Sequence, residues 1–199
     1  MGQSVKTLDW QKNIPAGQDI DTLFNTFKEK AEALTVKVIR CVSSEEAEKA
    51  INNEIKEGGF KKVVSVPLEK INLDAVKQQA QEDGVELITD LNRDIIEQSE
   101  LGISEFDLGI SALGSIVQDA TDVYKRLVST LPPTHLAIIN TESLVGTFED
   151  SLEVIQKTYG NEVPGFIAYV TGPSKTADIE RVLTIGVHGP GRLIIVCVD

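Results

Sequence analysis

The sequence predicts an α/β protein with a mostly parallel sheet flanked by helices. Strand-like runs rich in β-branched residues alternate along the chain with amphipathic stretches of about 10 to 15 residues, which is typical of βαβ units. The 199 residues, 41% of them hydrophobic, suffice for one large domain with its own core. We therefore expect residues 19–199 to form a single domain, preceded by a polar arm at residues 1–18.

The first helix is predicted just behind this arm. Pro15 and Gly17 interrupt any regular pattern within the arm, where Trp10 is a candidate anchor. From Asp19 onward, apolar residues recur every three or four positions, which predicts a helix capped by Asp19 or Asp21. The apolar positions are Ile20, Leu23, Phe24, Phe27, Ala31 and Leu34.

A regular alternation of strands and helices continues to residue 88. We expect strands at 36–42, 61–67 and 85–88, because these runs are apolar and rich in β-branched residues. Helices are expected at 45–57 and 73–83, each closed by a following glycine.

The middle of the chain departs from this alternation. After a short helical stretch near 93–100, residues 107–120 alternate like strands but are broken by Gly109 and Gly114, which predicts a small β-hairpin insertion. A helical turn at 122–128 follows, and the two prolines behind it end the turn because proline blocks helix continuation.

The last third returns to alternating elements. Strands are expected at 135–140, 166–170 and 193–198. Helices are expected at 149–159 and from about 176 to 186.

The charge balance excludes some classes of partner. The chain has 19 basic and 31 acidic residues, and its net charge of −12 repels nucleic acid and anionic lipid surfaces. The longest apolar runs are far shorter than the ~20 residues of a membrane-spanning helix, and the first residues lack the apolar stretch of a secretory signal. We therefore expect no nucleic acid or membrane partner and a cytoplasmic location.

The cysteines limit redox chemistry. Cys41 and Cys197 lie inside apolar strand-like runs, so we interpret them as buried hydrophobes rather than as a redox pair. An iron–sulfur cluster normally takes about four thiolates, which this chain cannot supply. We expect no cofactor and no metal site, so that other subunits would carry the electrons of any redox pathway.

The segment TGPSKTADIE at 171–180 is the first candidate site. Gly172 allows a tight turn, and Ser174, Lys175 and Thr176 then stand at the start of the predicted helix. Free N–H groups at a helix N-terminus bind anions, although a hydroxyl there can equally be a simple helix cap. Lys175 discriminates between the two, because a cap needs no cation.

The loop GVHGPGR at 186–192 is the second candidate. Gly186, Gly189 and Gly191 permit a tightly turned backbone around His188, which could serve as an acid, a base or an anion partner. A lone loop histidine is more often a hydrogen-bonding turn residue, and His135, at the start of a strand, is interpreted as structural. We expect this loop and the preceding turn to share one pocket that accepts negative charge.

The predicted hairpin is the third candidate. Its small residues Ser111, Gly114 and Ser115 would leave room for a ligand over the sheet. Bending of the sheet explains the same glycine-rich pattern at least as well.

All three segments resemble parts of the lactate-utilization (LUD) family. TGPSKTADIE, a short helix, GVHGP and a terminal apolar strand are similar to its C-terminal signature, in which arginine usually stands where this chain has Lys175. SEFDLGISALGSIVQD and RLVSTLPPTHLAII resemble the middle of the family. The resemblance implies a fold like that of sugar isomerases and coenzyme A transferases.

The resemblance also implies site residues and partners. Positions 171–178, including Asp178, and His188 match the family well enough to carry over a ligand-binding role. The partners implied are a small anionic molecule and iron–sulfur lactate-utilization subunits. Ala112 stands where the family has an acidic residue, and a methyl group cannot do acid–base work.

Three functions remain open at this stage. The first is an accessory protein of L-lactate or related organic-acid utilization that has no redox centre of its own. The second is an independent enzyme acting on a phosphorylated sugar, acyl-CoA or folate-like anion, with Asp178 or Glu142 as acid–base groups. The third is a structural or regulatory module with a vestigial site.

Overall fold

The computed structural model describes residues 10–177, 183–185 and 188–199. The helices are α1 (Ile20–Ala33), α2 (Ser44–Glu57), α3 (Leu73–Glu82), α4 (Arg93–Glu97), α5 (Val123–Thr130) and α6 (Phe148–Tyr159). The first strands are β1 (Lys37–Cys41), β2 (Lys62–Ser65), β3 (Glu86–Ile88), β4 (Leu101–Glu105), β5 (Leu108–Ile110) and β6 (Ser115–Asp119). The remaining strands are β7 (Thr134–Asn140), β8 (Leu144–Val145), β9 (Ile167–Val170), β10 (Lys175–Ala177), β11 (Leu183–Ile185) and β12 (Arg192–Val198).

Six strands form the main sheet, in the order β1-β12-β7-β4-β2-β3. Every neighbouring pair in it is parallel. Parallel strands need helical crossovers, and these place helices on the faces of the sheet. The predicted mostly parallel sheet flanked by helices is therefore confirmed.

Both faces of the main sheet are buried. Ile194, Val196 and Val198 of β12 pack with α2 and α3 on one face. The alternate residues of the same strand pack on the other face with α1 and a second sheet. This double burial explains why β12 is a continuous apolar run rather than an alternating one.

The second sheet has four strands in the order β8-β5-β6-β9. β5 and β6 form an antiparallel hairpin, so the hairpin insertion predicted near the middle of the chain is confirmed. The strand predicted at 166–170 also exists, as β9, but it pairs antiparallel with β6 and not with the main sheet. Strand β4, which sequence periodicity did not reveal, lies inside the main sheet.

The helix predicted from about 176 to 186 is wrong. Lys175–Ala177 and Leu183–Ile185 are short strands that pair antiparallel as β10 and β11. Thr176, Thr184 and Ile185 of these strands are β-branched, and such residues favour extended backbone over a helix. The parts of this predicted helix at 178–182, and residues 186–187 at its end, lie outside the described residues.

Side chains fix the start of α1 and attach the polar arm to the rest of the protein. Asp19 caps α1, as one of the two predicted alternatives, by accepting a hydrogen bond from the N–H of Thr22. Trp10 is almost fully buried, and its indole N–H donates to the Tyr159 hydroxyl at an N···O distance of 3.1 Å. The interpretation of Trp10 as an anchor is confirmed.

The two cysteines lie on neighbouring strands but on opposite faces of the main sheet. Cys41 belongs to the core beneath α2 and Cys197 to the core beneath α1, and both are unbridged. Burial raises the pKa of Cys41 to about 11 and that of Cys197 to about 12, so both stay thiols at neutral pH. The structural interpretation of the cysteines is confirmed.

No helix within the described ranges is long and apolar enough to cross a bilayer.

Candidate functional site

The two C-terminal candidate segments lie against each other. The N–H of Ser174 donates to the carbonyl oxygen of Pro190, with an N···O distance of 2.8 Å. A Cβ on Gly189 would lie 3.4 Å from Cβ of Ser174, so the two backbones are in close contact there. We call residues 171–175 and 188–191 the loop cluster.

The turn at the start of the loop cluster needs its glycine. Gly172 has φ +74°, a left-handed conformation that side chains disfavour, and a Cβ at this position would lie 3.1 Å from Cβ of Leu34. The predicted tight turn is therefore present. The C-terminal end of α1 lies next to this turn.

The chemistry at Lys175 differs from the expectation. Because Lys175 begins strand β10, no helix N-terminus supplies free N–H groups or a dipole at this position. Any attraction for an anion must come from side chains and loop backbone. The side chains of Lys175 and His188 are both exposed, Thr176 lies in β10, and Asp178 is outside the described residues.

The three candidate residues of the hairpin have different surroundings. The hydroxyls of Ser115 and Thr171 share a hydrogen bond of 2.6 Å, which ties the hairpin to the loop cluster. Ser111 is buried, and its hydroxyl has no hydrogen-bond partner within the described part of the chain. Gly114 leaves no room for a ligand, because a Cβ there would lie 2.4 Å from the backbone nitrogen of Ala31 in α1.

Sequence reasoning missed two cations at one edge of the main sheet, of which Arg192 directly follows the loop cluster in the chain. Lys37 and Arg192 are the first residues of the neighbouring strands β1 and β12, so both lie at the amino edge of the main sheet. Both contact the buried carboxylate of Glu54 on α2, and the distance from Arg192 Nη2 to Glu54 Oε2 is 3.0 Å. The hydrogen bond that Lys37 Nζ donates to Glu54 raises the pKa of Lys37. A charged residue in the apolar stripe of α2 was the signal available in the sequence.

The opposite, carboxyl edge of the main sheet holds a cleft of about 450 Å³. Ligands of open parallel sheets usually bind at this edge. Here four carboxylates and one guanidinium line the cleft: Asp19, Asp21, Glu142, Asp199 and Arg40. Arg40 Nη1 is 2.6 Å from Asp21 Oδ1, and Arg40 Nε is 2.9 Å from Asp199 Oδ1. The net negative charge of this cleft disfavours an anionic ligand.

A second polar cluster follows the end of β4. Lys70 and Glu105 form a largely buried ion pair, with 3.6 Å between Nζ and Oε2. Burial raises the pKa of the nearby Asp107 carboxyl, although the N–H of Asp119 donates to its Oδ2 at 2.8 Å. A carboxyl group with a raised pKa can exchange protons closer to neutral pH, which is the property that a general acid needs. Sequence reasoning missed this cluster because it missed β4.

Comparison with known families decides the classification. A family model described as the LUD domain matches residues 24–198. The chain belongs to the LUD domain family.

Relatives of this LUD domain include two proteins called lactate utilization protein C. The one from Bacillus subtilis (strain 168) is 36% identical over 105 residues, which is 52% of this chain and 44% of the relative. The one from Oceanobacillus iheyensis is 34% identical over 110 residues, or 54% of this chain and 47% of the relative. The similarity thus spans less than half the length of these relatives.

The fold of the LUD domain is also found in a solved structure. A DUF162 family protein from Deinococcus radiodurans superposes with a TM-score of 0.67 and 18% identity, over 92% of this chain and 99% of that one. At this identity the likeness concerns the fold alone. The expected kinship with sugar isomerases and coenzyme A transferases stays a prediction.

The histidines of this LUD domain have different environments. His135 is completely buried, and its Nε2 shares a hydrogen bond of 2.9 Å with the Ser104 hydroxyl. Burial lowers the pKa of His135 to about 3, so the ring is neutral at physiological pH. This geometry matches a structural role for His135, whereas His188 in the loop cluster is open to solvent.

Proposed function

We propose that this LUD domain serves the utilization of L-lactate or a related organic acid in the cytosol, as an accessory protein without a redox centre. The name shared by its relatives, lactate utilization protein C, supports this role. The two unbridged, buried thiols agree with a reducing compartment. The electrons would pass to iron–sulfur partner subunits.

The loop cluster is the proposed binding site for the small anion. The observation that carries this proposal is the hydrogen bond between Ser174 and Pro190, which holds two separate segments side by side. The ammonium of Lys175 and the imidazole of His188 are both exposed on these segments. A carboxylate between them would gain charge-assisted hydrogen bonds, which are stronger than neutral ones. Gly172, Thr176, Asp178 and Gly189 complete the proposed site.

Arg192 directly follows the loop cluster in the chain and is a further candidate donor for the anion. A guanidinium has five N–H donors, and Nη2 contacts Glu54 while the side chain remains 43% exposed. Arginine binds carboxylates through two parallel hydrogen bonds. We therefore include Arg192 in the proposed anion site.

Ligand-induced stabilisation tests the proposal. A ligand present at 100 times its Kd raises the free energy of unfolding by about 2.7 kcal/mol, so thermal unfolding with L-lactate, pyruvate and related acids should show a clear rise in Tm. The substitutions Lys175→Ala and Arg192→Gln should each reduce that rise. If none of these acids changes Tm at millimolar concentration, the proposed anion site is wrong.

The cluster behind β4 favours a second candidate function. The raised pKa of Asp107 beside the Lys70–Glu105 ion pair suits an enzyme acting on a phosphorylated sugar, acyl-CoA or folate-like anion. Turnover of such compounds that is lost in Asp107→Asn would support the enzyme. Stabilisation by lactate without turnover of any of them would favour the accessory role.

A further inference from the structure

Among the residues that the structure describes, strand β9 is an edge of the second sheet. It is the last strand in the order β8-β5-β6-β9 and pairs antiparallel with β6 on one side. The carbonyl oxygen of Phe166 accepts a hydrogen bond from the N–H of Ala120. This bond determines which residues of β9 point their backbone N–H and C=O groups toward β6. Because bonded residues alternate in an antiparallel pair, the N–H and C=O groups of Ile167 and Tyr169 point away from β6. These groups have no partner within residues 10–177, 183–185 and 188–199.

Apart from its length of only four residues, strand β9 lacks the features that protect exposed edges. Natural edge strands usually have a charged side chain, a proline or a bulge that prevents pairing with another chain. Residues 167–170 read IAYV and contain neither a charge nor a proline. The edge is therefore suited to receive an additional strand.

An apolar surface lies directly beside the edge. Phe148 and Leu152, one helical turn apart on α6, are 41% and 46% exposed, and Tyr169 on β9 is 37% exposed. The ring centroids of Phe148 and Tyr169 are 5.4 Å apart. We call these three residues the α6/β9 surface. Clustered exposed apolar side chains beside an open strand edge are typical of protein–protein contacts.

Charge distinguishes between a second copy and a different partner. Residues 148–163, which include α6 and the turn behind it, contain four carboxylates and one lysine, and the whole chain has a net charge of −12. The lysine, Lys157, is already 3.3 Å from Glu153. Two copies meeting at this surface would bring like charges together, whereas a basic partner would be attracted.

We infer that the α6/β9 surface binds an extended, basic segment of a partner protein. The segment adds as a strand along β9, places apolar side chains against Phe148, Leu152 and Tyr169, and sets lysine or arginine side chains near Glu149 and Glu153. This inference rests on the partner-binding part of the proposed function. It requires no anion in the loop cluster.

Fluorescence anisotropy with defined peptides tests the inference. The probe is a labelled peptide with a central run of valines between lysines at both ends, compared with the same peptide carrying glutamates in place of the lysines and with the lysine peptide interrupted by a central proline. We expect only the first to bind, because the second has the wrong charge and proline cannot complete a strand. Binding of none of them, or equal binding of the first and third, would overturn the inference.

Matched variants locate the binding surface. Tyr169→Lys and Leu152→Ser should abolish binding, whereas Val42→Ser should not, although Val42 is 74% exposed. Glu149→Gln combined with Glu153→Gln should weaken binding about threefold to tenfold. Glu29→Gln combined with Glu82→Gln removes the same charge elsewhere and should leave binding unchanged.

Sedimentation and unfolding measurements complete the test. A wild-type dimer that Tyr169→Lys converts to monomers would show that a second copy occupies the surface, which contradicts the inference. Unchanged Tm values of the variants show that lost binding is not lost folding. The peptide result and the lactate-induced change in Tm are independent, so failure of the inference is distinguishable from failure of the proposed function.

Discussion

At the residue scale, the buried His135 makes the folding stability of the protein depend on pH in the acidic range. The ring is completely buried, and desolvation lowers its pKa from 6.5 to about 3. Between these two pH values the unfolded chain binds a proton that the folded chain does not, so folding stability falls as pH falls.

We expect His135 to make the free energy of unfolding decrease by about 1.4 kcal/mol for each pH unit below 6.5, down to about pH 3. Urea unfolding between pH 7 and pH 4 measures this slope. His135→Phe should be less stable at pH 7 but should lose this part of the slope. The variant His188→Gln, which keeps His135 in place, is the control. An unaltered slope in His135→Phe would contradict the assignment.

Glu54 is the second residue with a testable role. It is 3% exposed and contacts both Lys37 and Arg192, whose side chains are 46% and 43% exposed. Water can rehydrate these two cations when their partner is removed, so the loss is smaller than for a fully buried pair. We expect Glu54→Gln to lower the free energy of unfolding by about 1 to 2 kcal/mol.

Denaturant unfolding at neutral pH measures the effect of Glu54→Gln. The matched control is Glu57→Gln, because Glu57 is exposed and only 3.6 Å from the same lysine. The control should cost less than about 0.5 kcal/mol. Equal losses in the two variants would mean that burial of Glu54 has no influence.

At the scale of elements, the contact between α1 and the β5–β6 hairpin depends on Gly114. This residue has φ +62°, and a Cβ would lie 2.4 Å from the backbone nitrogen of Ala31. We expect Gly114→Ala to destabilise the fold by about 2 to 4 kcal/mol, since backbone strain and overpacking add. Gly59→Ala has a similar φ of +66° with open space around it and should cost only about 1 kcal/mol. Comparison of the two Tm values isolates the packing contribution.

Sequence patterns predicted most elements because local chemistry determines them. The β-branched run of β12 and the three- and four-residue spacing in α1 leave little choice of structure. Strand β4 escaped prediction because LGISE is short and contains a glycine, and it is a strand only between β2 and β7. β10 and β11 were mistaken for a helix because each is only three residues long and apolar residues of this segment, such as Ile179, Val182 and Leu183, recur at helical spacing.

The candidate site was only partly predictable for a related reason. Loop residues such as Ser174 and Gly189 are recognisable from glycine and proline around them, and their mutual contact was expected from the sequence. The positions of Lys37 and Arg192 depend on which strands become neighbours in the sheet. Local sequence patterns cannot show that Lys37 and Arg192 are neighbours, because the two residues are far apart in the chain. The order of strands in the sheet brings both of them to Glu54.

At the scale of the whole molecule, Trp10 fastens the N-terminal arm to the second sheet. Its indole stacks edge-on against Tyr159 at 5.6 Å between ring centroids, and the Tyr159 hydroxyl donates to Asp119 Oδ2 at 2.7 Å. We expect Trp10→Ala to reduce the free energy of unfolding by about 3 kcal/mol, because it empties a buried site. Asn13→Ala removes only the hydrogen bond to Thr158 and should cost about 1 kcal/mol.

Unfolding followed by circular dichroism measures both losses, since Trp10 is the only tryptophan and its own fluorescence disappears with the substitution. Equal losses in the two variants would show that the arm is held by hydrogen bonds alone. A negligible loss in Trp10→Ala would show that the arm is not part of the cooperative unit.

The position of β12 has a consequence for how the protein folds during synthesis. β12 lies between β1 and β7, and it is the neighbour to which β1 is paired in the main sheet. A ribosome therefore makes β1 early and its partner more than 150 residues later. Pairing over so long a stretch of chain slows folding. Until β12 emerges, the nascent chain exposes an apolar gap beside β7, which is the form that chaperones would meet.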